Sequence, residues 1–173
     1  MNTPQAINFQ LTEKEFVFSF LYLKLKPTFL NCIFSSIILI VYFRAVYEMS
    51  LFVNIALAIS LIFFVVAPLG LIILAYRAKK EYKSNYSFRN EVNIEFNDSG
   101  YIVTTNDGNH NHREWAYLYS VREVKHGFFL YYSIHTATYI PKRCFNSEDS
   151  ITFFKELVLN HLDSDKVYFK TAV

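Results

Sequence analysis

Two long stretches without charge leave this chain few ways to fold. Between Pro27 and Tyr76 the only acidic or basic side chains are Arg44 and Glu48, and all the others lie in the flanking segments. Thr28 to Tyr47 is long enough to span a bilayer core if the stem of Arg44 carries its charge toward the headgroups. Leu51 to Tyr76 runs for 26 residues, about 39 Å as a helix against an apolar thickness of about 30 Å. It therefore has to tilt, kink or extend into an interface. Pro68, followed by Gly70, supplies a kink because proline cannot donate to the carbonyl of Phe64. Only Glu48, Met49 and Ser50 separate the stretches, so the expected arrangement is a transmembrane hairpin of antiparallel helices.

Charge sets the orientation. Lys24 and Lys26 precede the first stretch, and Arg77, Lys79, Lys80 and Lys83 follow the second, so the positive-inside rule makes both termini cytoplasmic. These six residues are candidate contacts for the membrane surface, and so is the pair Lys142 and Arg143 if that edge of the domain faces lipid. Arg44 is the one contrary charge. It either snorkels outward beside Glu48 or forms an intramembrane partner site. A cleavable signal peptide is disfavoured, since Glu13 and Glu15 would fall in its basic leader. The net charge of +2 is too small and too scattered for a nucleic-acid partner. Cys32 and Cys144 fall in a membrane helix and a strand, where each reads as a small buried hydrophobe rather than half of a disulfide.

The pattern divides the chain into an N-terminal strand and helix at 1–26, the hairpin at 27–76 and a cytoplasmic domain at 77–173. Ala6 to Leu11 alternates as a strand, and Thr12-Glu13-Lys14-Glu15 has the form of a capping box opening a helix. Beyond Lys83 the runs become short and alternating. Five strands are expected, at Glu91–Phe96, Tyr101–Thr105, Arg113–Val124, Phe128–Ile134 and Ala137–Ile140. Turns at Asn97–Gly100, Asn106–Gly108 and His126-Gly127 separate them. Their short connections favour one antiparallel sheet. A final helix begins near Ser147, with an apolar stripe of Ile151, Phe154, Leu157, Val158 and Leu162. The expected fold class is thus an α+β membrane protein: a two-helix transmembrane hairpin plus a cytoplasmic antiparallel sheet capped by a C-terminal helix, pleckstrin-homology-like in shape.

This order of elements resembles the YcxB-like family of small bacterial membrane proteins. The residues that carry the resemblance are Ile7-Asn8-Phe9-Gln10-Leu11-Thr12, the Trp-led segment Trp115 to Val124, and Tyr139-Ile140-Pro141-Lys142-Arg143-Cys144-Phe145 before the helix with Phe153, Phe154 and Leu157. The resemblance implies a multi-pass protein of the bacterial inner membrane and assigns no biochemical role.

No residue pattern points to catalysis. His110 and His112 would project to one side of a strand and hold two positions on a metal, but beside Asp107 and several asparagines a solvated hairpin tip fits them better. His126, His135 and His161 accompany no Ser or Cys nucleophile in a motif. The glycines form no phosphate loop, no carboxylate pair stands out for acid–base work, and no cofactor is implied. The leading expectation is a non-enzymatic protein that contacts the lipid bilayer and binds a protein partner or a second copy of itself. The alternative is immunity against a membrane-acting toxin, met within the bilayer at small or polar positions such as Ser35, Ser36, Asn54 and Ser60. A metal enzyme using His110 and His112 is the third.

Overall fold

The computed structural model describes residues 5–47, 51–106 and 108–169. The chain divides into two units, Met1–Glu15 with Asn85–Val173, and Phe16–Ser84.

The first unit is α+β, but its strands form two four-stranded sheets instead of the one sheet expected. In one, β1 (Gln5–Phe9), β2 (Val92–Asn97), β3 (Gly100–Thr105) and β4 (His110–Glu114) lie side by side in that order, all antiparallel. The N-terminal strand thus joins the sheet formed by residues far along the chain. Its register sets Ile7 against Ile94 and Phe9 against Val92, which turns Ile7, Phe9, Ile94 and Phe96 into the core. Asn97 fixes the first turn by accepting from the amides of Ser99 and Gly100 at 3.0 and 2.9 Å. Gly100 is required by close approach, since a Cβ there would meet the Arg113 carbonyl oxygen at 2.1 Å.

The expected long strand Arg113–Val124 is broken, and that break separates the sheets. Trp115–Tyr117 forms a single 3₁₀ turn after β4. The indole turns inward, is 3% exposed, and donates to the Asn97 carbonyl at 2.9 Å. Tyr117 and Tyr119 stay 72% and 53% exposed while Trp115 and Val121 are buried, so the single face on which one continuous strand would place all four does not form. The chain then enters the second sheet, whose order is β7 (Thr136–Pro141), β6 (Gly127–Ser133), β5 (Ser120–Val124) and β8 (Val167–Tyr168). Three of its strands are antiparallel neighbours, while β8 pairs in parallel with β5.

A helix, Glu148–His161, covers the core of this unit; the Ser147 side chain caps it by accepting from the Ser150 amide. Its buried positions are Ile151, Phe154, Leu157 and Val158. Gly127 opens β6 where a Cβ would lie 2.5 Å from the Ile140 carbonyl and 2.6 Å from the Tyr139 ring. Gly127→Ala is therefore expected to destabilise the protein by about 1–3 kcal/mol, the usual cost of overpacking. A drop in thermal midpoint for that variant, against no loss for Gly70→Ala, a helical position where an added Cβ meets nothing within 4 Å, would test it.

The second unit is helical and corrects the other half of the expected fold. No helix among the described residues is long and apolar enough to cross a membrane, so the transmembrane hairpin is not part of this fold. Thr28–Tyr47 is not a separate helix. It belongs to α1 (Glu13–Tyr47), a single helix of 35 residues whose acidic and basic members are Glu13, Lys14, Glu15, Lys24, Lys26 and Arg44. Leu51–Tyr76 is divided. α2 (Leu51–Leu61) has 11 residues, about 16 Å of helix, roughly half an apolar bilayer core. A π-helical turn at Ile62–Val66 follows, and α3 (Ala67–Ser84) then runs on into the charged segment. The turn widens because Pro68 has no N–H and its ring crowds the preceding carbonyls, so the Ala67 amide reaches back to the Ile62 carbonyl. The expected link Glu48–Ser50 lies outside the described residues, as do the side chains of Lys26, Cys32, Ser35, Ser36, Asn54 and Ser60.

Candidate functional site

The segment from Tyr139 to Phe145 carries two ion pairs of the sheet unit. β7 ends at Pro141, and Lys142–Cys144 makes one 3₁₀ turn held by the Lys142 amide donating to the His126 carbonyl at 2.9 Å. Two consecutive basic side chains leave this turn toward different carboxylates.

Lys142 donates to Oε1 of Glu123, and Lys155 from the C-terminal helix approaches Oε2 at 2.9 Å. The Glu123 side chain is only 3% exposed, so a carboxylate inside the domain is matched by two ammonium groups whose stems still reach solvent. Each ammonium also lies 5.5 Å from a ring centroid, Lys142 over Phe128 and Lys155 over Phe169.

Arg143 grips Glu15 with both prongs, Nε to Oε1 at 2.7 Å and Nη2 to Oε2 at 2.8 Å, and Nη2 also donates to the Gln10 carbonyl. Glu15 meanwhile closes the capping box: its carboxylate accepts from the Thr12 amide at 2.9 Å, and its own amide donates to the Thr12 hydroxyl at 3.3 Å. The Arg143 hydrogen bonds, aided by those from Thr12 and opposed by burial, bring the Glu15 carboxyl down to about 2. The same contact raises the Arg143 guanidinium.

A depressed carboxyl stabilises the fold above its unfolded value, 4.5, and that contribution disappears as pH falls toward about 2. Because the pair is partly solvated, the expected loss is on the order of 1–2 kcal/mol. Urea titrations at stepped pH should show this decline in the native protein and a shallower one in Glu15→Gln. Equal slopes would mean that another group carries the acid sensitivity.

Burial pushes the Cys144 thiol up to about 11, which leaves it protonated and unreactive near neutrality, and it pushes the Tyr139 hydroxyl up to about 12. Among the described residues no group of three His, Cys, Asp or Glu side chains is placed to hold a metal ion. His110 and His112 both lie on β4 and are exposed, with the His110 Nδ1 3.0 Å from the Thr104 hydroxyl. His126 and His135 lie exposed in turns, and His161 stacks on Trp115 at 5.9 Å.

A YcxB-like protein family model matches residues 96–158. This segment is YcxB-like. No curated protein matches the chain, and no solved structure does. The YcxB-like segment runs from the end of β2 through most of the C-terminal helix, so it contains Glu123, Lys142, Arg143 and Lys155 together. β1, Gln10 and Glu15 lie outside it, as does the whole helical unit.

Of the basic residues singled out in the sequence, Lys142 and Arg143 thus sit within the YcxB-like segment, in ion pairs with side chains 30% and 50% exposed. Lys24 and Arg44 are exposed on α1, and Arg77, Lys79, Lys80 and Lys83 are exposed on α3. Glu15, Glu123 and Lys155 were not singled out as partners. Glu15 had a visible signal in the capping box, but its second role toward Arg143 crosses 128 residues. Glu123 sits on a strand beside the exposed Arg122, and nothing local distinguishes the buried charge from the exposed one.

Proposed function

We propose that this chain is a non-enzymatic protein attached to the bacterial inner membrane, where its sheet unit binds a protein partner. The observation that carries the reading is apolar exposure on the helical unit. Phe34 is 67% exposed, Phe52 85% and Ile72 65%, and Ile38, Val41, Ile59 and Leu69 are more than half exposed. Fully burying a side chain of this kind gains about 1.5–3 kcal/mol, and exposed apolar surface running along three helices marks a face that lipid or protein covers. A hydrocarbon phase accepts all of them without requiring a complementary shape.

The partner half of the reading rests on the sheet unit. Its conspicuous polar groups are tied into ion pairs and caps, while Tyr117, Tyr119 and Ile134 stand exposed, two of them aromatic residues of the kind that anchor protein interfaces. Fractionation tests the first half: the full chain should pellet with membranes, resist a high-salt wash and be released by dodecyl maltoside. A monomer that remains in the high-speed supernatant without detergent would refute attachment. For the second half, a pull-down from detergent that returns only the chain itself, at monomer mass, would count against a partner.

A further inference from the structure

We infer that Lys24 on α1 and Arg77, Lys79, Lys80 and Lys83 near the end of α3 bind the headgroups of anionic phospholipids, an inference that rests on the membrane attachment proposed above. Within the helical unit the rings of Phe16 and Tyr82 lie 5.6 Å apart, which brings the start of α1 beside the end of α3. At 1.5 Å per residue, Lys24 stands about 12 Å along α1 from that contact and Arg77 about 7.5 Å back along α3. Lys79, Lys80 and Lys83 occupy the same last turns of α3, all exposed, with Glu81 the one carboxylate among them.

Farther from the contact, both helices change character in the same way. On α1 the exposed side chains become Phe34, Ile37, Ile38 and Val41, and on α3 they become Ile73, Ile72 and Leu69. Both helices therefore pass from cationic to apolar surface on moving away from one shared contact, α3 at Ile73, about 14 Å from it, and α1 by Phe34, about 27 Å from it. A lipid interface presents those two chemistries in that order, anionic headgroup and then hydrocarbon, whereas a protein groove would need a matched shape. The tyrosine at the change, Tyr76, is 68% exposed, which suits an amphipathic ring at headgroup depth. The cations at the C-terminal end of α3 also offset its negative dipole end, so they cost the helix nothing in the absence of lipid.

The test uses the full chain in dodecyl maltoside, titrated with phosphatidylglycerol, phosphatidylcholine or inorganic phosphate while thermal unfolding is followed. Phosphatidylglycerol should stabilise at concentrations at least tenfold lower than phosphatidylcholine, since each basic residue near an anionic surface contributes about fivefold. Inorganic phosphate should do nothing. The variant R77Q/K79Q/K80Q/K83Q should lose the preference, and K79R/K80R/K83R, which keeps the charge, should retain it. Equal responses to the two lipids, an unchanged preference in the glutamine variant, or a matching response to inorganic phosphate would overturn the inference. A chain that needs no detergent would instead overturn the attachment on which it rests.

Discussion

Replacing both Lys142 and Lys155 with methionine is expected to cost the protein about 3–5 kcal/mol, the penalty of removing two cationic partners from a carboxylate that stays buried. Glu123 is the buried member of the group, at 3% side-chain exposure, while the two lysines retain 30% and 26%. That asymmetry makes the effect directional. Glu123→Gln should cost only about 1–2 kcal/mol, because the ammonium groups it frees swing into water on their long stems. The carboxylate of the double variant has no long stem on which to leave the core, so losing both ammonium groups should cost more than losing the carboxylate. A triple variant with Glu123→Met added to the two lysine changes should recover most of the stability, as an apolar replacement of a buried ionic group often does. Chemical denaturation of all three proteins in the same detergent would measure these differences. Equal costs for the double variant and Glu123→Gln would mean that water reaches Glu123 in solution.

The apolar pattern of the sheet unit was legible in the sequence because it is local. The alternation around Ile94 and Phe96 and the three-and-four spacing of Ile151, Phe154, Leu157 and Val158 each follow from the period of one element. The division into two sheets was not legible. It depends on Trp115 leaving the strand to reach the Asn97 carbonyl and the ring of Phe96, contacts made across eighteen or more residues, and on β8, two residues long, pairing in parallel with β5. The helical unit shows the reverse error. Uncharged length alone suggested two separate spans, but the capping box at Thr12 starts a helix that runs without interruption to Tyr47, and Pro68 imposes a π turn that shortens α2. The polar site was half visible. Lys142 and Arg143 stood out as an exposed basic pair, yet their partners lie 19 and 128 residues away, and no local rule brings a carboxylate to them.

Phe154→Ala is expected to produce the other large loss, about 3–5 kcal/mol, because its buried ring packs against side chains of both sheets at once. It is fully buried, and its centroid lies 4.9 Å from Phe96 in the first sheet, 5.0 Å from Phe128 in the second and 5.5 Å from Phe145 after the Lys142–Cys144 turn. A methyl group in its place would leave a cavity bordered by both sheets, and neither can close it without moving strands that are already paired. The neighbouring Phe153→Ala should cost about half as much or less, since that ring is only partly buried at the margin of the same core. Thermal or urea unfolding of the two variants distinguishes a shared hub from a generic apolar contribution. If they lose equal stability, Phe154 fills volume without joining the sheets. If Phe154→Ala also unfolds in two steps, with the fluorescence of Trp115 changing before the far-ultraviolet signal, that one ring is what makes the two sheets a single cooperative unit.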